Sequence, residues 1–115
     1  MSTSATIAVK TEKGFKYNTV HWDGYPEHVG KQLVKHYNTT EKALDAIKSQ
    51  IRAFEKDGSI EYFTADKDPR PVVEVEELSF DDLGCEYVYI FTEGEWFVDE
   101  GDGGVVSVKD YLEEN

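Results

Sequence analysis

The densest gathering of chemically capable side chains lies in the run HWDGYPEH, from His21 to His28. Its two imidazoles and the carboxylates of Asp23 and Glu27 can all ligate a metal ion. In an extended chain His21 and Asp23 project from one face, with His28 just inside the next element and His36 two turns beyond. A zinc site needs three or four converging ligands at fixed geometry, and no sharp template such as HExxH is present. A metal-dependent hydrolase built on His21, Asp23 and His28 is therefore the weakest functional reading, and no cofactor is expected. The aromatic members offer a different chemistry: Trp22 and Tyr25 can stack on a planar ligand, with His21 and His28 as polar contacts. A plainer reading gives the same residues structural work. Trp22 and Tyr25 would fill the layer between a hairpin and a helix, Asp23 would cap that helix, and Gly24 and Pro26 would shape the turn.

Other reactive groups are sparse. Cys85 is the single cysteine, which excludes an internal disulfide. It precedes an apolar strand without a basic neighbour, so it reads as a buried, inert thiol. There is no serine in a G-x-S-x-G elbow and no glycine pattern of the dinucleotide or P-loop type. Arginine occurs only as Arg52 and Arg70, against a dedicated polyphosphate pocket. The loop from Asp99 to Gly104 lacks the ligand spacing of an EF-hand and reads as solvated. Catalysis is thus disfavoured.

The charge is uneven. The net charge of the 115 residues is −12, yet residues 1–56 carry 9 Lys/Arg against 6 Asp/Glu, and residues 57–115 carry 3 against 18. The densest acidic group is Glu74, Glu76 and Glu77 with Asp81 and Asp82. Direct binding of nucleic acid is not expected, because that affinity comes mainly from Lys and Arg against phosphates. An anionic membrane surface is disfavoured for the same reason, and no apolar run approaches the ~18–20 residues of a membrane span. A basic protein partner, or a protein site normally filled by nucleic acid, suits the acidic half better. A hydrophobic fraction of 39% with 13% aromatics supports a core rather than disorder. The amino-terminal run has no signal-peptide pattern, so a cytoplasmic protein is expected.

The elements that position these groups form one expected α+β domain over residues 1–115. Residues 5–10 and 15–22 read as a hairpin, with Thr11 to Gly14 as its turn. Residues 26–37 read as a helix with Pro26 at its first position and Val29, Leu33, Val34 and Tyr37 at helical spacing. A second helix is capped by Asn38 and Glu41 and carries Leu44, Ile47, Ile51 and Phe54 on one stripe; Asp57-Gly58 ends it. Residues 59–64 are a short strand or the start of a loop. Residues 72–78 alternate Val and Glu as an exposed edge strand. Residues 86–92 and 95–99 flank Glu93-Gly94, the strongest hairpin signal in the chain. Ser107 is set to cap a last short helix, with Asp110 in its first turn. The expected architecture has two layers, an antiparallel sheet built from hairpins packed against two central helices.

The string HWDGYP, followed by an acidic residue, a glycine and a helix ending in His36-Tyr37, resembles a marker of small bacteriophage and prophage proteins. The likeness takes in the preceding Ile7-Ala8-Val9 strand and, more loosely, the aromatic hairpin at 86–97. It is strongest over the first third of the chain; the long acidic second half departs from the pattern. The resemblance implies an origin rather than a reaction: an accessory protein working in the cytoplasm of a host cell. The first reading is accordingly a non-enzymatic protein that binds and inhibits a host defence or nucleic-acid-handling protein. Its acidic, aromatic surface would draw on His21, Trp22, Asp23, Tyr25, His28, Glu74, Glu76, Glu77, Asp81 and Asp82. The alternative is a protein that sequesters a nucleotide-like small molecule at the HWDGYP junction, across a homodimer.

Overall fold

The structure, a computed structural model, describes residues 3–62, 72–78, 83–100 and 104–114. Strands β1 (Ala5–Thr11) and β2 (Gly14–Val20) form the first hairpin. A π-helical turn (Pro26–Gly30) follows and runs directly into α1 (Lys31–His36), then α2 (Thr40–Ala46). Next come β3 (Ile51–Phe54), β4 (Ile60–Tyr62), β5 (Val73–Val75), β6 (Tyr87–Thr92), β7 (Glu95–Asp99) and β8 (Val105–Ser107). Helix α3 (Val108–Glu114) ends the described chain. Among the described residues the eight strands make one sheet in the order β4-β3-β2-β1-β6-β7-β8, with β5 alongside β2.

The class is α+β, as expected, but the sheet is mixed rather than antiparallel. β1 lies parallel to β6, with Ile7 opposite Tyr89 and Val9 opposite Phe91, and β2 meets β3 in parallel at Val20 and Ile51. Parallel neighbours need a crossover of a dozen or more residues; for β2 to β3 the π-turn, α1 and α2 supply it. Strand β1 is enclosed on both faces, with Ala5 to Val9 all buried, as a central strand requires. The helices cover one face. Val29, Leu33, Ala43, Ile47 and Val108 pack there with Ile7, Val9, Tyr89, Phe91, Trp96 and Val98 in one core. Asn18, on the same face, is buried and donates through Nδ2 to the Ile47 carbonyl at 3.2 Å.

The two hairpins expected from turn chemistry form where they were placed. Glu93 (φ 53°) and Gly94 (φ 79°) both take the left-handed backbone that a tight two-residue turn demands. Ser107 caps α3, its Oγ accepting from Asp110 N at 3.0 Å. Val73–Val75 is a strand, antiparallel to the first half of β2. Of the segment expected as a short strand or the start of a loop, Ile60–Tyr62 forms β4.

The second helix is shorter than its stripe suggests. It stops at Ala46, and Ile51–Phe54 is strand β3. The register between β3 and β4 shifts between Ile51 and Ala53. Such a bulge puts Ile51 and Phe54, three residues apart, on the buried side and so imitates a helical period. Asp57-Gly58 closes the β3–β4 turn instead of a helix: Gly58 has φ 92°, and Asp57 Oδ1 accepts from Ser59 N at 3.0 Å. The cap of α2 is Thr39 and not Asn38, with Thr39 Oγ1 accepting from Lys42 N at 3.2 Å.

Candidate functional site

The HWDGYP segment leaves β2 and crosses the end of the sheet on a backbone tied down at His21, Trp22 and Gly24. His21 N donates to Ile51 O at 3.1 Å and Trp22 N to Arg52 O at 3.0 Å, which extends the β2–β3 contact past Val20. Asp23 then takes φ 54°, a left-handed conformation that aspartate tolerates better than most residues. Gly24 N donates to Thr3 O at 2.8 Å, and its own carbonyl accepts from the buried Tyr89 hydroxyl at 2.6 Å. A Cβ on Gly24 would sit 2.9 Å from both Ala5 Cβ and Thr3 O, so the chain reverses there only as glycine. Tyr25 is the N-cap of the π-turn, with its carbonyl accepting from His28 N and Val29 N, both at 3.0 Å. Asp23 makes no side-chain cap, contrary to expectation, because the turn starts two residues later.

Side chains on the helical segment brace the junction from behind. His28 Nε2 donates to Phe54 O at 2.6 Å, Gln32 Nε2 to Lys56 O at 3.3 Å and the Tyr37 hydroxyl to Gly58 O at 2.6 Å. Three alternate carbonyls of the β3–β4 hairpin are thus each held by one side chain of the π-turn–α1 segment and the residue that follows it. His21 faces another way: Gln50 Nε2 donates to its Nε2 at 2.6 Å. An amide nitrogen only donates, so His21 accepts through that atom. The imidazoles of His21 and His28 therefore serve separate backbone and amide contacts. Among the described residues no three His, Cys, Asp or Glu side chains are grouped as a metal site would require.

The expectation that Trp22 and Tyr25 fill the interlayer space is overturned. Trp22 is 47% exposed and Tyr25 39% exposed, while Tyr89, Phe91 and Trp96 occupy the core. The interior position beside Gly24 is taken by Tyr89, whose register opposite Ile7 brings its hydroxyl under the loop. Two large rings are left on the surface of a loop whose backbone is held at His21, Trp22 and Gly24.

The acidic residues named from sequence do not join them. β5 pairs with Phe15 to Tyr17, so Glu74, Glu76 and Glu77 lie toward the β1–β2 turn, the opposite end of the sheet from the junction. Four residue steps separate Lys16, the partner of Glu74, from Val20, roughly 13 Å of strand. Glu74 is also ion-paired with Lys16 at 3.3 Å. Asp81 and Asp82 lie outside the described residues.

Other carboxylates take that place. Ala5 stands opposite both Val20 and Tyr87, and Val88 opposite Asp99, so the loop after β2, the start of β6 and the end of β7 share one end of the sheet. Exposed Glu86 and Glu100 flank those strands there, near exposed Glu27 of the π-turn. Burial pushes the Tyr111 hydroxyl up to about 12, reinforced by the charge of Glu100 and by its hydrogen bond to Glu100 Oε1 at 3.2 Å. Tyr87 is also raised, first by burial and then by Glu100, Glu27 and Glu86. Sequence reading passed over Glu86, Glu100 and Tyr111 as site residues, since only the parallel β1–β6 pairing carries them to the junction. Cys85, expected to be buried, is half-buried, its Sγ 3.1 Å from Tyr87 O and 3.3 Å from Thr6 Oγ1.

The chain matches no protein-family model, no curated protein and no solved structure.

Proposed function

We propose that this chain is a non-enzymatic binding protein, of bacteriophage origin by the resemblance of its HWDGYP segment. It engages and inhibits a host protein in the host cytoplasm, and its contact surface is the junction end of the sheet. The observation that carries this reading is the outward placement of Trp22 and Tyr25 on an anchored loop. Exposed aromatics on a rigid support lose little entropy when covered, and Trp and Tyr dominate interface hot spots. The surrounding carboxylates of Glu27, Glu86 and Glu100 would steer a basic partner. Among the described residues no helix is long and apolar enough to cross a membrane.

A partner protein fits this surface better than a small molecule. Small ligands favour concave, mostly enclosed sites. Three clefts among the described residues are lined elsewhere: one by Lys13, Phe15 and Glu74, one by Thr39 and Leu44, one by Val34 and Trp96. None of them includes Trp22 or Tyr25.

The test is affinity capture from a bacterial lysate at low salt, comparing the native chain with Trp22→Ala/Tyr25→Ala and identifying retained proteins by mass spectrometry. A protein held by the native chain and lost with the double variant, whose circular dichroism and melting point are unchanged, is the expected result. Equal retention by both chains would refute the reading.

A further inference from the structure

Strand β8 closes one side of the sheet. It is bonded to β7, with Phe97 opposite Ser107, Val98 opposite Val106 and Asp99 opposite Val105, and among the described residues no strand lies on its other side. An edge strand turns the N–H and C=O groups of alternate residues outward, where they are a template for another chain. Helix α3 leaves that side clear, because it folds back toward β7, α1 and the π-turn, inward of the edge. Proteins commonly guard such edges with charge. β4 holds Glu61, paired with Arg52 at 3.6 Å, and β5 holds Glu74, paired with Lys16 at 3.3 Å. β8 holds no charge at all. Val105 is 54% exposed and Val106 42% exposed, and since successive side chains alternate, one lies on each face of the strand. Charge gathers at the two ends instead. Glu100 follows Asp99 at the Val105 end; Glu95 and Asp110 lie at the Ser107 end, where Asp110 N donates to Ser107 Oγ at 3.0 Å. These three carboxylates are exposed and make no ion pair among the described residues, and Lys109 beside Asp110 leaves the ends with an acidic excess.

We infer that β8 accepts a strand from a partner protein: an extended segment of β-branched residues flanked on both sides by lysine or arginine. Main-chain hydrogen bonds supply the affinity in this mode of recognition, and alternate side chains supply the specificity. The side chains of the incoming strand lie beside Val105 on one face and Val106 on the other, as favourable cross-strand pairs. Its flanking bases meet Glu100 at one end and Glu95 and Asp110 at the other. A second copy of this chain brings the same uncharged strand, but it sets carboxylates against carboxylates at both ends. The contact is independent of the exposed rings of the junction: Trp22 is bonded to Arg52 of β3, and β3 lies five strand spacings from β8, roughly 24 Å.

The probe is a fluorescein-labelled peptide, Lys-Arg-Val-Thr-Val-Thr-Val-Arg-Lys, followed by anisotropy at low and high salt. Its control carries proline in place of both threonines, which keeps the charge and removes backbone donors. The first peptide should bind and weaken as salt rises. The proline control should bind about tenfold more weakly or worse, because the ladder bonds carry the affinity. Hydrogen exchange locates the contact: bound peptide should slow the amides of Val105 to Ser107 and leave those of β4 unchanged. Glu95→Gln/Glu100→Gln should weaken binding by about threefold or more, the worth of exposed ion pairs. Trp22→Ala/Tyr25→Ala should leave it unchanged. Equal binding of the two peptides, protection away from β8, or no binding at all would overturn the inference. A chain that sediments as a dimer with β8 protected before peptide is added would overturn it too, since a second copy would then fill the edge. Loss of the peptide in Trp22→Ala/Tyr25→Ala would move the contact to the junction, and the inference would fall while the proposed function stood.

Discussion

Gly24 has no room for a side chain, and the junction depends on it. A methyl there would press on Ala5 Cβ and Thr3 O, one of them backbone that cannot yield. Gly24→Ala should destabilise the fold by about 1–3 kcal/mol, the usual cost of overpacking, in urea denaturation. Trp22→Ala, at an exposed position, should stay within about 0.5 kcal/mol of the native chain. Tyr62 and Tyr111 give a pH signature. Burial is the first cause in both, with Asp45 adding to the first and Glu100 to the second, and both hydroxyls are pushed up to about 12. In the unfolded chain they ionise near 10. Between those values the unfolded state sheds protons that the folded state keeps. Stability is therefore whole below pH 10 and falls as pH rises toward 12. Urea unfolding across that window should show the decline, and Tyr62→Phe should flatten it; a flat native profile would contradict the assignment. At this scale the sequence named the junction residues but not their orientation. Trp22 and Tyr25 have the composition of core residues, and only the presence of Tyr89 beneath Gly24 turns them outward.

At the scale of elements, local chemistry was legible wherever a turn or cap decides the structure. Glu93-Gly94, the Thr11 to Gly14 turn, Pro26 and Ser107 each act within a few residues, so their signals survive in the sequence alone. Ser107→Ala should cost about 1 kcal/mol through the lost α3 cap, measurable as a lowered denaturation midpoint with an unchanged slope. That helix is coupled to the junction, for Val108 Cγ1 lies 2.9 Å from where a Cβ on Gly30 would stand. β3 was illegible because its bulge gives Ile51 and Phe54 the spacing of a helix. The β3–β4 hairpin is then held by contacts that leave no periodicity: His28, Gln32 and Tyr37 on its alternate carbonyls, and the Tyr62 hydroxyl donating to Ala46 O at 2.9 Å.

For the whole molecule the governing quantity is a net charge of −12. Self-repulsion of that size opposes the compact state and is screened by salt. Raising sodium chloride should therefore raise the melting temperature of the isolated chain while weakening binding to the basic partner proposed above. Opposite responses of stability and binding to one variable would be hard to obtain from an apolar interface. Among the described residues the basic first half and the acidic second half do not form two separate faces. β1 and β2 from the first half lie between β5 and β6 from the second, which pairs Lys16 with Glu74 and sets Glu86 near Glu27. The sequence by itself determined the α+β class, both tight hairpins, the start of the helical segment at Pro26, the last helical cap and the excess of carboxylates. Each of these follows from local backbone chemistry or from composition. The tertiary structure alone decided the parallel pairing of β1 with β6, the exposure of Trp22 and Tyr25, and which carboxylates share that end of the sheet. Pairing between segments some eighty residues apart is a choice among competing registers that the whole core settles at once, and no short window of sequence records it.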